Sequence, residues 1–428
     1  MKDIFAFALA TPNTGELNQI WGALETFAKQ TKTAKESEKN FLFPLNKKTL
    51  SEMREPFSIL NYKSYRSFKN DANKMLDKYF QKIKTPPKVF IMSYTQALNE
   101  LSDKNIDAMC RVVKEYYKKH NYGKILTTVL TSRLHPYKYV DIINIPEHMF
   151  VSTDTNFKFL ENKRLKSKIV ITKGIISNFT TSSIKKKHKQ LIEKISSLSK
   201  DKKLEKWLKK YDLFCQSSKR VVMLLGGRVN GPEIQFNMEY AKKLYQDAEK
   251  LSQYGYSIII ANGPRTPNDI TDYLHEKSKN NPRILFHNCK TIATTDEDRS
   301  PSRWRIYSGK YEDEFNITKQ IGNIYPGIIY FDNTMVMHTA DSFASCESTS
   351  ISIPTAISKT GIYIDSKIRH DCYVLYNMLC SKYTLDWDEF VFLATNIGIE
   401  PKNFNPKELK NPTKLFVERV LAELHNKS

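Results

Sequence analysis

The stretch Arg220-Val221-Val222-Met223-Leu224-Leu225-Gly226-Gly227-Arg228 decides the fold class. Its unbroken apolar run, Val221 to Leu225, leaves no polar face, so it reads as a strand covered on both sides, as in a parallel sheet layered with helices. The two glycines that end it carry no Cβ and let backbone approach a ligand closely. A helix starting beyond them would offer unpaired N–H groups to an anion. The run fits neither the G-x-G-x-x-G fingerprint nor the G-x-x-x-x-G-K-[ST] phosphate loop, so neither a dinucleotide dehydrogenase nor a P-loop NTPase is supported. A tight strand-to-loop turn with no ligand is the plainer alternative.

The same alternation extends in both directions. Downstream, a helical pattern through Tyr240, Leu244 and Leu251 precedes predicted strands at Ser257–Ala261, Arg283–Phe286, Gly327–Phe331, Met335–His338 and Gly361–Ile364. Upstream, strands are predicted at Ile4–Ala10, Lys88–Ser93, Ile125–Leu130, Val140–Ile145 and Lys168–Thr172, with helices through Trp21, Leu24 and Phe27 and near Ile106–Tyr117. Strands alternating with helices define α/β layers. The expected organisation is an N-terminal α/β domain over 1–183 with a basic helical or loop insertion near 31–85, a basic helical linker over 184–216, a second α/β domain over 217–385, and a helical tail over 386–428. The N-terminal apolar stretch carries Asp3 and is short for a signal peptide, so it reads as the first strand.

Charge narrows the partners. Lys and Arg number 67 against 46 Asp and Glu, a formal net charge of +21, which attracts anions. Segment Ile184–Lys210 holds eleven lysines against Glu193, Asp201 and Glu205, and its apolar positions, Trp207 among them, fall at helical spacing. Such a helix suits an anionic membrane surface or is simply a solvated face. No zinc-finger, RRM or helix-turn-helix signature accompanies the charge, so no specific nucleic-acid partner is expected. The six cysteines form no C-x-x-C pair, which suggests reduced thiols and a cytoplasmic setting. No apolar run approaches the roughly 18–20 residues that span a bilayer.

Candidate site residues cluster where predicted strands end, which is where open α/β sheets bind ligands. Gly226, Gly227 and Arg228 follow one strand, Arg265 and Thr266 the next, and Asp341, Ser342 and Glu347 follow Met335–His338. An arginine fork suits phosphate oxygens, and a carboxylate suits ribose hydroxyls. Asp341 and Ser342 are equally good helix caps. In the N-terminal half, Gly15, Asn18 and Gln19 follow strand one. His148 follows Val140–Ile145, where an imidazole is either a general base near neutral pH or a structural residue.

Taken in order, several stretches resemble the mitochondrial fission ELM-type family, whose bacterial members are described as glycosyltransferases of the GT-B fold. They are Thr14–Gly22, Asp141–His148, Lys168–Thr180, Leu224–Gly227, Arg265–Pro267 and Thr339–Ser342. The resemblance implies two facing doubly wound Rossmann-like domains of GT-B type with a C-terminal helical tail. It implies a nucleotide-sugar donor held by the second domain through Gly226, Gly227, Arg228, Arg265, Thr266, Asp341, Ser342 and Glu347. Gly15, Asn18 and Gln19 would lie on the acceptor side, with Glu16 or His148 as the base. It also implies no cofactor and no divalent metal, and a lipid-linked or lipopolysaccharide-type acceptor met peripherally at the inner membrane face. The family pattern carries aspartate where this chain has Met149, which keeps a non-catalytic, membrane-surface adaptor open as an alternative.

Overall fold

The computed structural model describes residues 6–9, 14–31, 41–43, 65–81, 85–94, 103–131, 134–151, 155–177, 181–198, 204–226, 236–263, 266–288, 327, 331–339, 353–358, 383–404 and 411–427. The chain divides into two compact units, Met1–Asn178 with Lys410–Ser428, and Phe179–Leu409.

The first unit is built on six parallel strands, β1 (Ala6–Leu9), β2 (Phe41–Phe43), β3 (Val89–Tyr94), β4 (Leu126–Thr131), β5 (Ile142–Pro146) and β6 (Ile169–Thr172), in the order β2-β1-β3-β4-β5-β6. Successive side chains of a strand point to opposite faces, and here both faces are buried. Phe7, Phe90 and Met92 face α2 (Tyr65–Phe80) and α3 (Asp103–Lys119). Ala6, Ala8, Val89 and Ile91 face α1 (Thr14–Gln30) and Phe416, Val417 and Val420 of the last helix, Pro412–Lys427. Short helices α4 (Glu147–Val151), α5 (Thr155–Glu161) and α6 (Lys163–Lys166) lie between β5 and β6.

The second unit holds α7 (Thr181–Leu198), α8 (Glu205–Gln216), β7 (Arg220–Leu224), α9 (Met238–Gln253), β8 (Ser257–Ala261), α10 (Asn268–Lys279), β9 (Ile284–His287), β10 (Thr334–Thr339), β11 (Thr355–Ser358), β12 (Leu385–Asp386) and α11 (Trp387–Phe392). Its parallel order is β12-β11-β10-β7-β8-β9. Counted from β7, this is the 3-2-1-4-5-6 order of a doubly wound nucleotide-binding sheet. One face packs on α9, α10 and α11 through Leu244, Leu251, Leu274, Trp387 and Phe390. The other packs on α7 and α8 through Ile184, Leu191, Ile195, Trp207, Tyr211 and Phe214. The final helix, α12 (Pro412–Lys427), belongs to the first unit. Its Thr413 Oγ1 donates to Ser177 O and accepts from Ser177 N–H, both at 3.0 Å.

Several expectations change. Residues near 31–85, expected as a helical or loop insertion, contribute edge strand β2 and core helix α2. The basic segment 184–216 is a whole helical layer of the second unit. Trp207 is buried at 6 % exposure and stacks on Tyr211 at 5.2 Å, so the apolar face offered to a membrane is occupied by the sheet. Lys210 caps the end of α10, donating to Ser278 O and to Ile284 O at 3.0 Å. Of the strand expected over Gly327–Phe331, Gly327 is helical and Phe331 lies in a bend. The strand expected at Gly361–Ile364 lies outside the described residues. Among the described cysteines, Cys110 and Cys215 are free thiols.

Candidate functional site

In the second sheet, β7 and β10 are neighbours from which the chain winds in opposite directions. This is the topological switch point, and its carboxyl edge is where such sheets bind ligands. Two threonine hydroxyls hold the backbone there. Gly226 N–H donates to Thr339 Oγ1 at 2.6 Å, which joins the end of β7 to the end of β10. Thr266 Oγ1 donates to Gly226 O at 2.5 Å and itself accepts from Gly263 N–H at 2.9 Å, which joins the loop after β8 to the loop after β7. Thr266 and Thr339 are buried. A Cβ on Gly263 would sit 2.7 Å from Leu225 O, so only glycine allows this approach of the two loops.

Deeper in the same edge, Asn262 Nδ2 donates to Asn288 Oδ1 at 2.9 Å and to Thr271 Oγ1 at 3.3 Å, which ties the ends of β8 and β9 to α10. Tyr240 of α9 donates to Ser358 Oγ at 2.8 Å at the end of β11. Helix α9 begins only at Met238, and Asn237 Oδ1 caps it by accepting from Tyr240 N–H at 2.9 Å. Helix α10 begins directly after Thr266-Pro267 and has no side-chain cap.

Of the predicted donor residues, the structure brings Gly226 and Thr266 together. Their roles differ from expectation. Gly226 N–H is spent on Thr339 and the Thr266 hydroxyl on Gly226, so both residues shape the edge instead of offering these groups to a phosphate. Gly227, Arg228, Arg265, Asp341, Ser342 and Glu347 lie outside the described residues. Thr339 and Gly263 were not among the predicted site residues. A hydroxyl at the end of a strand carries no sequence signal of its own, while a glycine after a buried strand does.

In the first unit, the reversal falls between β1 and β3, and α1 opens after β1 with Gly15, Glu16 and Asn18 in its first turns. Gln19, predicted on the acceptor side, is buried, and its Oε1 accepts from Ser93 Oγ of β3 at 2.8 Å, pinning the start of α1 to the neighbouring strand. His148, predicted as a base, is the second residue of α4, directly after β5, and is 0 % exposed. Its ring is therefore withdrawn from solvent. At the opposite edge of β5, Asp141 accepts from Thr127 N–H at 2.9 Å and pairs with Lys114 at 2.8 Å, which makes it a structural carboxylate.

The sequence contains the D-x-D spacing twice. At Asp386-Trp387-Asp388 both carboxylates are engaged. Asp386 Oδ1 caps α11 by accepting from Asp388 N–H at 3.0 Å, and Asp388 pairs with Lys243 at 2.5 Å. Asp296-Glu297-Asp298 lies outside the described residues.

These sheets and switch points define a protein of two doubly wound α/β units. The family model described as mitochondrial fission ELM1 matches residues 112–296, which takes in four of the six motif stretches. No curated protein matches the chain in sequence. Among solved structures, the chain is similar to UDP-GlcNAc 2-epimerase from Methanocaldococcus jannaschii, in complex with UDP-GlcNAc and UDP, at 12 % identity and TM-score 0.41, covering 99 % of this chain and 100 % of that one. The Neisseria meningitidis UDP-GlcNAc 2-epimerase bound to UDP-GlcNAc is similar at 9 % identity and TM-score 0.41, with full coverage of both chains. Acinetobacter baumannii MurG is similar at 8 % identity and TM-score 0.38, covering 98 % of this chain and all of that one.

Proposed function

We propose that the protein is a glycosyltransferase of GT-B type that takes a sugar from a nucleotide-sugar donor bound at the carboxyl edge of the second sheet. The observation that carries this reading is the threonine-held switch point, where Gly226 is bonded to both Thr339 and Thr266. Two loops and a strand end are locked there at the position where doubly wound sheets bind nucleotides. In this reading Arg228, Arg265 and the Gly227 N–H neutralise the diphosphate, the Ser342 hydroxyl and the backbone N–H groups of Asp341 and Ser342 donate hydrogen bonds to it, and the Glu347 carboxylate accepts from the ribose. Charge neutralisation by basic side chains and backbone N–H groups needs no divalent ion.

Transfer requires a base to accept the proton of the acceptor hydroxyl as the sugar carbon leaves the diphosphate oxygen. Because His148 is buried, the proposal puts that role on Glu16, in the first turn of α1, and gives His148 a positioning role. The acceptor class proposed is a lipid-linked or lipopolysaccharide-type hydroxyl. The test is thermal stabilisation by a panel of nucleotide sugars, read beside nucleotide release. Wild type is expected to respond to at least one donor and Arg265→Ala to lose that response. A flat response across the panel, or an identical one in Arg265→Ala, overturns the enzymatic reading.

The complete burial of His148 favours one second reading, a non-catalytic adaptor on the same scaffold. It expects biological activity to survive Asp341→Ala and Glu347→Ala, whereas the transferase expects its loss.

A further inference from the structure

We infer that β6, the edge strand of the first sheet, pairs with an extended peptide segment of a partner protein whose apolar centre is flanked by acidic residues. Along β6 the four residues are half-buried, half-buried, exposed and buried, whereas every residue of β4 and β5 is buried. Ile143 N–H donates to Lys168 O at 2.8 Å, and Ile143 is in register with Ile169. In a parallel ladder this pairing turns the backbone groups of Val170 and Thr172 toward β5 and leaves the N–H and C=O of Ile169 and Ile171 pointing away from it. No hydrogen bond among the described residues engages those four groups. Buried backbone groups are almost always paired, so these face solvent, in agreement with the 41 % exposure of Ile171.

The other sheet edges are engaged or shorter. At β9, Ile284 N–H donates to Asn281 O at 3.3 Å and Lys210 Nζ donates to Ile284 O at 3.0 Å. β12 has two residues and β2 three. Edge strands are commonly blunted by a proline, a bulge or a lysine that guards the open side. β6 contains no proline, and its four residues stay in unbroken register with β5. The adjacent Lys168 is turned inward, its Nζ donating to Val140 O at 2.7 Å. The strand is also pinned along its length. Arg419 Nη2 donates to Ser167 O at 2.9 Å at its start, Asn144 Nδ2 to Val170 O at 3.2 Å in its middle, and Thr172 Oγ1 to Gly174 O at 3.0 Å at its end. A template fixed before binding loses little freedom when a strand is added.

Charge at the two ends of β6 selects the occupant. Lys163, Arg164 and Lys166 are exposed just before the strand, at the amino edge of the sheet, and Lys173 is exposed just after it, at the carboxyl edge. No ion pair among the described residues engages these four cations. A segment laid along β6 therefore passes cations at both of its ends, which acidic flanks match. Ile169, Val170 and Ile171 favour β-branched residues at its centre. A second copy of this chain fits poorly: antiparallel pairing centred on Val170 sets Lys173 of each copy opposite Ser167 of the other, between Lys166 and Lys168. Like charges facing across a sheet are destabilising.

The experiment measures binding of labelled peptides to the full chain by fluorescence anisotropy. No nucleotide sugar or acceptor is added, so the result is independent of whether transfer occurs. The probe is a synthetic peptide in which valine and threonine alternate between two glutamates at each end. Wild type is expected to bind it, and to bind the same peptide with lysines at both ends about tenfold or more weakly. A version N-methylated at every central residue cannot donate to the Ile169 and Ile171 carbonyls and should lose binding by a similar factor. Ile171→Pro removes one outward N–H that takes no part in the β5 ladder, and should weaken binding about tenfold. Lys166→Glu with Lys173→Glu should reverse the preference toward the lysine-ended peptide. It touches only exposed side chains, so it reports on pairing even where Ile171→Pro folds poorly. Lys186→Glu with Lys194→Glu on α7 should change nothing. Equal binding of the N-methylated peptide, an unreversed charge preference or absence of binding overturns the inference. Self-association of wild type that Ile171→Pro abolishes also overturns it and assigns the edge to a second copy.

Discussion

Gly226 and Thr339, 113 residues apart in the chain, are joined by a 2.6 Å hydrogen bond from the glycine N–H to the threonine hydroxyl, across the two strands from which the second sheet winds outward. Replacing Thr339 by the near-isosteric valine removes the acceptor and leaves a partly buried N–H unpaired. A loss of about 1–3 kcal/mol is expected, measured by denaturant unfolding. Nucleotide-sugar stabilisation should weaken in the same variant, because the loop that begins at Gly226 loses its anchor.

Gly263→Ala tests the neighbouring contact. Its new methyl would meet the Leu225 carbonyl at 2.7 Å, and backbone cannot yield as a flexible side chain would. Overpacking of this kind costs about 1–3 kcal/mol. The same substitution at Gly255 is a useful contrast, since nothing lies within 4 Å of its Cβ position and its cost arises from its φ of +86°.

Trp207→Ala separates a packed layer from a docking helix. A tryptophan buried between α8 and the second sheet should cost about 3–5 kcal/mol when truncated. Reversal of the exposed Lys185 and Lys189 should stay within about 0.5 kcal/mol. Equal, small effects from both would contradict the packing described for α7 and α8.

His287 should make stability pH-dependent. Burial alone holds its imidazole down, from the ordinary 6.5 to about 3, so the folded protein keeps the ring neutral while the unfolded chain protonates it below pH 6.5. The unfolded state thus binds more protons in that window. Stability from this group is complete above pH 6.5 and declines as pH falls toward 3, by up to about 5 kcal/mol. Unfolding midpoints at pH 4 and pH 7 should converge in His287→Phe relative to wild type.

Phe416→Ala examines where the C-terminal helix belongs. Phe416 is fully buried in a cluster with Ile20, Leu24 and Phe27 of α1. Truncation should cost about 3–5 kcal/mol, and hydrogen exchange should accelerate in β1 and α1 while β7 and β8 keep their protection.

Strands with continuous large apolar runs, such as Val221–Leu225 and Ser257–Ala261, were legible within a residue because such a run has no polar face to leave in water. β11 was not. Thr355-Ala356-Ile357-Ser358 has one large apolar side chain, yet all four residues are buried because the strand lies inside the sheet between β10 and β12. Phe41–Phe43 escaped notice among lysines for a similar reason: three residues carry too little pattern, and pairing with β1 makes them a strand. At the site, Gly226 and Thr266 were legible as residues following buried strands. That their polar groups are turned on each other, and that Thr339 completes the arrangement, follows from loop ends meeting in space.

By itself the sequence determined that two parallel α/β layers form, because buried strands alternating with amphipathic helices have no other way to cover both faces of each strand. It also determined the sign of the protein's field. Only the tertiary structure decided where that charge can act. It buried the apolar face of the lysine-rich helices against one sheet and left Val151, Phe157 and Ile171 exposed in the other unit. Which apolar faces stay open is settled by long-range packing, and no local pattern in the chain encodes it.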